Sequence, residues 1–487
     1  MLAARNDRRT LPAAAVGAAV LVIVALSPAG ASLADDTAPR QTDRGFEVSY
    51  TAGERDAAGY FMGGTELRNL SAHGGRLYAG NGYWMDQPGP EGRQPAQILV
   101  LDNPAARWRV ERSLDERMPN GRTPRHLAVS ALQGMTFSTD YAGRTLLRAV
   151  SMLFAGTWDL SGASQVMSRN DANGAWTAMS LPVPRVTSGI QQVRAMATHR
   201  DRQTGVDQVF AGNDPHGIVS GGYDDAAVGG IRWGASPELD ISRLSAPSFP
   251  GLTLLRVASF AECNGILYAT IGQQIYRRLD GASPRWELFY TNPRPGYSET
   301  GLRGLTAVPH PSGTGQALLV AVEGSAARII RIDPSNGDET TELDIVAFLN
   351  STWATKVGYV IAAYNDMTVV AGPRSEATVL IGIEAFLPAS SPVPAGHVRA
   401  DGLDGGGWYL VRQGERHYDL RKIGSTQPLT GTPLVATRAI AASPFPNDAD
   451  TIYFAGFDAN KRAAHNTAWI FRTGKAKAIL PTSAQER

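Results

Sequence analysis

The chain has 487 residues, with 46 Lys and Arg against 45 Asp and Glu, for a formal net charge of +1. So neutral a chain has no overall electrostatic case for gripping a nucleic acid or an anionic membrane, and any charged ligand must be held by a local cluster. Its 52 Gly and 30 Pro suit many short strands joined by turns, and the single cysteine, Cys263, excludes an intrachain disulfide.

At the amino terminus, Arg5, Arg8 and Arg9 precede an apolar run through Leu26 and then Ser32-Leu33-Ala34 ahead of Asp35 and Asp36. That order of basic, apolar and small-residue regions predicts a secretory signal over 1–34, cut after Ala34 or alternatively after Ala31. Arg8-Arg9-Thr10-Leu11 has the paired arginines of a twin-arginine signal but not its flanking residues, so the general secretory route is read at least equally. A retained anchor is the other reading, opposed by Pro12 and Pro28 in a short apolar segment. The expected product is one domain over 35–487, secreted into a periplasmic or extracellular space, with no membrane span after cleavage and no partner subunit.

From Arg68 onward a phrase returns about every 55 residues: an Arg-led apolar stretch, a turn, then a strand ending in Ala-Gly or a near variant. Its clearest copies are Leu67-Arg68-Asn69-Leu70 with Leu77-Tyr78-Ala79-Gly80, Val193-Arg194-Ala195-Met196 with Val209-Phe210-Ala211-Gly212, and Thr437-Arg438-Ala439-Ile440 with Tyr453-Phe454-Ala455-Gly456. Self-similarity at this period, built from short strands and Gly-rich turns, predicts an all-β fold, a β-propeller. Seven copies of four antiparallel strands are counted, with six or eight as the neighbouring counts. They start at Arg68, Arg125, Arg194, Arg256 and Arg303, then at an irregular copy from Val360, then at Arg438. Each small sheet buries its faces only against its neighbours, so closure of the ring matters. Phe46-Glu47-Val48-Ser49-Tyr50 is placed to supply the outer strand of the last copy.

In this topology the starts of the inner strands and the ends of the second strands share one face, where a polar funnel is expected. Arg68, Arg125, Arg194, Arg256, Arg303 and Arg438 are assigned equivalent positions there, with Asn81, Trp84, Asp214 and Glu323 beside them as binding residues. Guanidinium groups suit bidentate contact with carboxylate or sulfate, which points to an acidic polysaccharide or oligosaccharide; the alternative is that the arginines bridge neighbouring sheets. His126, at the start of an inner strand, and His216, after Asn213-Asp214-Pro215, join the funnel with Tyr83 as candidate catalytic groups. His73, His199 and His310 fall in hairpins of the opposite face, and Cys263 reads as an inert thiol in a turn. No paired-Cys, His-Glu-x-x-His, EF-hand or Gly-x-Ser-x-Gly pattern occurs, so neither metal nor cofactor is expected.

Ser168-Arg169-Asn170-Asp171-Ala172-Asn173-Gly174-Ala175-Trp176 resembles a stretched Asp-box turn of sialidase-like propellers, a structural element. In architecture and in its His, Tyr and Arg funnel residues, the chain resembles secreted seven-bladed propeller-type polysaccharide lyases. That resemblance implies β-elimination on a uronate-containing glycan, with Arg neutralising the carboxylate and His and Tyr moving protons. A glycoside hydrolase is the next enzyme reading, and a non-catalytic propeller binding a glycan or protein at the cell surface is the competing one.

Overall fold

The computed structural model describes residues 45–83, 94–186, 191–244, 255–372, 377–394, 397–400, 402–424, 426, 431–458 and 466–480. The expected signal over 1–34, Trp84 and His465 lie outside the described residues. Strands follow one another in antiparallel quartets. The first is Glu66–His73, Arg76–Gly82, Gln97–Leu101 and Arg109–Ser113; the second is His126–Thr139, Thr145–Asp159, Gln165–Arg169 and Trp176–Ser180. Gln192–Arg200, Asp207–Asp214, Gly217–Tyr223 and Ile231–Trp233 form the third, and Val257–Cys263, Ile266–Ile271, Gln274–Leu279 and Arg285–Thr291 the fourth. The fifth is Leu302–Pro309, Gln316–Val322, Arg328–Ile332 and Glu339–Asp344, after which Ile345–Trp353 forms a helix capped by the Asp344 carboxylate. In the sixth, Tyr359–Ala362 and Thr368–Ala371 share one partner, Ala377–Phe386, which continues to Trp408–Gly414 and His417–Lys422. The last quartet takes Leu434–Ala442, Thr451–Asp458 and Ala468–Gly474 from the carboxyl end, and its outer strand, Glu47–Thr51, from the amino end.

This is a β-propeller, and its core shows why the ring must close. Buried apolar residues separate into clusters that each straddle two consecutive quartets. Tyr78, Ile98, Val129 and Leu153 join the first to the second, and Phe210, Ile218, Val257 and Leu267 the third to the fourth. Tyr453 and Ile470 meet Leu67, Leu77 and Leu99 across the junction of last and first. Each such fully buried side chain contributes about 1.5–3 kcal/mol, so an unclosed ring would leave a whole cluster in water.

The recurring Ala-Gly phrase has a steric cause. A Cβ on Gly80 would lie 2.7 Å from Val129 Cγ1, and one on Gly212 would lie 2.6 Å from Val257 Cγ1. Glycine at the second strand lets the next quartet's inner strand approach. Gly212→Ala is therefore expected to lower stability by about 1–3 kcal/mol through overpacking, read as a lower denaturant midpoint at unchanged slope.

Alternate junctions also carry an electrostatic clasp, in which an Arg on a third strand reaches a carboxylate on the preceding quartet. Arg169 Nε meets Glu111 at 2.7 Å beside the Tyr78 ring, Arg278 Nε meets Glu238 at 3.0 Å beside Phe210, and Arg412 Nε meets Glu342 at 2.7 Å. The hairpin histidines add to it: His73 Nε2 lies 2.8 Å from Asp171, and His199 bridges Glu262 at 2.8 Å and Asp280 at 3.1 Å. Asp171 sits in the turn that resembles an Asp-box, so that turn acts as a junction element. Cys263 is buried in its hairpin, and burial pushes its thiol up to about 12.

Candidate functional site in the central channel

Each regular inner strand carries a β-bulge near its start, which re-aims the bulged side chain. The register shifts fall at Arg68, Ser130, Arg194, Ala258, Arg303-Gly304 and Arg438. Arginine thus occupies the bulge in every second quartet, while Ser130 and Ala258 occupy it in the second and fourth. Arg125 and Arg256 precede their strands and are not equivalents of the other four. Arg125 holds Asp159 at 2.7 Å and Glu116 at 2.5 Å, and Arg256 donates to Thr300 at 3.0 Å. Burial lowers the Arg256 guanidinium to about 10, with Arg194 and Arg303 adding to the shift and Asp214 opposing it.

The sixth quartet fills its bulge with a loop. Ala362 pairs with Ile383 and Thr368 with Leu380, so Ala363-Tyr364-Asn365-Asp366-Met367 stands opposite only Ile381 and Gly382. Ala363 takes the left-handed conformation at φ 50° to start the excursion. Tyr364 is thereby delivered to the centre of the arginine layer. Its ring centre lies 4.0 Å from the Arg438 guanidinium, 4.6 Å from Arg303, 5.3 Å from Arg68 and 5.8 Å from Arg194, and Arg68 Nη2 donates to its hydroxyl. Burial would raise this phenol, but Arg68, Arg194 and Arg438 override burial and the opposing Glu66 and bring it down to about 7.

Carboxylates flank this layer on the side of the strand starts. Arg68 Nε lies 2.9 Å from Glu66, Arg438 Nη2 lies 2.7 Å from Glu384, Arg194 Nε lies 3.2 Å from Asp214, and Arg303 pairs with Glu323. All of these side chains are buried. The open funnel of unneutralised arginines expected on this face is thus replaced by a buried, charge-compensated layer. Asp214 also accepts from Gln192 and from the Val257 backbone, and Glu323 from Tyr359. Asn81 clips Gly63 and Gln97 together, a structural task.

The proposed proton-transfer residues are not gathered either. His126 is fully buried, 3.8 Å from Glu116, and burial holds its pKa below the ordinary value; Arg125 adds to that shift while Asp159 and Glu116 oppose it. Tyr83 is buried just after the first quartet's second strand, and His216 is half-buried just after the third quartet's. None of the three lines the channel cavity.

That cavity, of about 460 Å³, lies on the opposite side of the arginine layer, toward the hairpins that join inner to second strands. Its floor is Arg68, Arg194, Arg438, Asn365 and Asp366; small residues such as Ala131, Ala195 and Ala439 form its walls; Gln133, Thr198 and Glu262 stand exposed near the rim. Asp366 keeps an exposed surface within it. Enclosure by protein pushes its carboxyl up to about 6, against one hydrogen bond from the Met367 backbone at 3.0 Å. A carboxyl that keeps its proton up to about pH 6 can donate it in mildly acidic solution. Tyr364 and Asp366 escape a reading that follows the repeated Arg. Their signal is the break in the irregular copy, where a polar and aromatic segment separates two short apolar runs.

Among the described residues no group of three or more His, Cys, Asp or Glu could hold a metal ion, and no helix is long and apolar enough to cross a membrane.

No protein-family model matches the chain, and no curated protein matches it. Among solved structures it is similar to a Penicillium chrysogenum α-L-arabinanase, at 9% identity over 88% of this chain and 98% of that one, with a TM-score of 0.40. It is also similar to a Lactobacillus plantarum protein, at 11% identity over 82% of this chain and 96% of that one with a TM-score of 0.44, and to Trypanosoma rangeli sialidase, at 10% identity over 88% and 57% with a TM-score of 0.37.

The phenol offers a direct check on the channel's electrostatics. Burial raises Tyr268 to about 12, and Tyr276, Tyr409 and Tyr453 are also raised. A spectrophotometric titration of tyrosinate should therefore show one phenol ionising near 7, absent in Tyr364→Phe. An unchanged titration in that variant would contradict the assignment.

Proposed function

We propose that this protein is a glycan-active enzyme that takes a saccharide into the channel cavity and cleaves it by hydrolysis, with Asp366 as proton donor. The observation that carries the reading is an exposed carboxyl, raised to about 6, at the floor of a cavity whose volume falls in the range of small-ligand sites. Glu262 is the other carboxylate lining that cavity, and His199 Nδ1 at 2.8 Å orients it. In the proposed step Asp366 gives its proton to the departing glycosidic oxygen while Glu262 takes one from the attacking water. Elimination is the less favoured chemistry, because His126, His216 and Tyr83 do not line the cavity. Seven blades, export by the amino-terminal segment and action as a monomer outside the cell belong to the same proposal.

The test is release of reducing ends from a panel of polysaccharides by the wild-type protein and Asp366→Asn, with ultraviolet detection of unsaturated products run in parallel. Reducing ends that vanish in the variant support hydrolysis at this site. Unsaturated product that survives in the variant overturns it, and binding without any turnover would favour a scaffold.

A further inference from the structure

The cavity floor holds donors without acceptors. Nη1 of Arg68, Nη1 of Arg438 and Nδ2 of Asn365 are buried with no hydrogen-bond partner among the described residues, and all three side chains line the cavity. The two arginines are only 4% and 6% exposed; Arg68 is ion-paired with Glu66 and donates to the Tyr364 hydroxyl, and Arg438 is ion-paired with Glu384 and Glu66, while Nε of each also lacks a hydrogen-bond partner among the described residues. Asn365 is anchored through its carbonyl oxygen by Arg194 at 3.4 Å. Buried donors left unsatisfied are rare in native proteins and call for a water, an ion or a ligand.

The placement of charge selects among these. Glu66, Asp214 and Glu384 compensate the three floor arginines but do not line the cavity, so what enters from the hairpin side meets guanidinium edges. Asp366 is the opposing charge on the floor, and its proton removes that opposition. A carboxylate brings two acceptor oxygens in the geometry that guanidinium donors match, whereas a sugar hydroxyl brings one weaker acceptor.

We propose that the saccharide taken by this cavity carries a carboxylate, which docks against Arg68, Arg438 and Asn365 at the floor. The inference rests on the glycan-active reading above and adds the class of sugar, a uronate. It also retains the acidic ligand expected from the sequence while moving it from the strand-start face to the hairpin side of the layer.

The test is calorimetric titration of wild-type protein with a uronate oligosaccharide and with its methyl ester, which keeps the sugar but removes the charge at the carboxyl. The acid should bind roughly tenfold tighter or better at low salt. That preference should narrow as pH rises past about 6, where Asp366 ionises, and should persist at higher pH in Asp366→Asn. Asn365→Ala, which leaves the buried ion pairs intact, should narrow it as well. Equal binding of acid and ester overturns the inference, and so does failure of both to bind. If neutral glycans are nonetheless hydrolysed, the function stands and only the sugar class falls; if none is bound or cleaved, both fall.

Discussion

Glu66→Gln should destabilise the protein by about 3–5 kcal/mol, the largest loss expected from any single conservative change in the channel. Glu66 is completely buried, 2.9 Å from Arg68 and 3.6 Å from Arg438, so the variant leaves two buried guanidiniums short of negative charge. Gln keeps the shape and removes only the charge. The loss should appear in the denaturant midpoint, and a second readout separates it from mispacking. Glu66 raises the Tyr364 pKa, so its removal should move that ionisation below about 7. Because the folded phenol ionises below its unfolded value of about 10, its stabilising contribution is complete above that value and fades as pH falls through 7. In the variant the same contribution should persist to lower pH. A stability loss with no change in the Tyr364 titration would mean that Glu66 does not share the arginine layer's field.

Asp366→Asn should lower turnover by about 10²–10⁴-fold, the range of a lost general acid, while the variant still binds saccharide. Activity of the wild type should decline as pH rises through about 6. The same residue fixes a sign for stability. Its folded pKa is raised above the unfolded value of about 3.9, so stability is fullest below that value and is lost as pH rises through 6. Asp366→Asn should flatten that part of the profile. The fold would then tolerate the substitution better at neutral pH than at acid pH, an outcome a purely structural aspartate in an ion pair would invert. Full turnover in Asp366→Asn would remove the proposed acid.

Much of this was legible in the sequence. The Arg-led phrase and the Ala-Gly strand ends gave the propeller, because both record a physical necessity: a bulge at the channel and a close approach between neighbouring sheets. Phe46 to Tyr50 also read correctly as closing strand material, since Glu47–Thr51 pairs with the last quartet. What misled was following the charged residue in place of the apolar frame around it. Val129-Ser130-Ala131-Leu132 and Val257-Ala258-Ser259-Phe260 keep the frame of Val193-Arg194-Ala195-Met196, whereas Arg125 stands five residues before Ser130 and Arg256 two before Ala258. Aligning on the apolar positions would have shown arginine in alternate copies.

The location of the cavity was not legible. Inner strands pass through the whole channel, and nothing in a regular strand says where the channel is blocked. The block is set by the excursion from Ala363 to Met367, whose direction depends on a break in strand pairing that only the fold reveals. The pairing of the arginines was equally hidden, because Glu66, Glu384 and Asp214 come from three different quartets.

The most direct test of a saccharide site on the hairpin side of the arginine layer is a crystal structure of Asp366→Asn soaked with a uronate oligosaccharide. The expected result is a sugar in the cavity between Asn at 366 and Glu262, with its carboxylate on Arg68 and Arg438. A sugar bound at the strand-start face, with the cavity holding only water, would contradict the account.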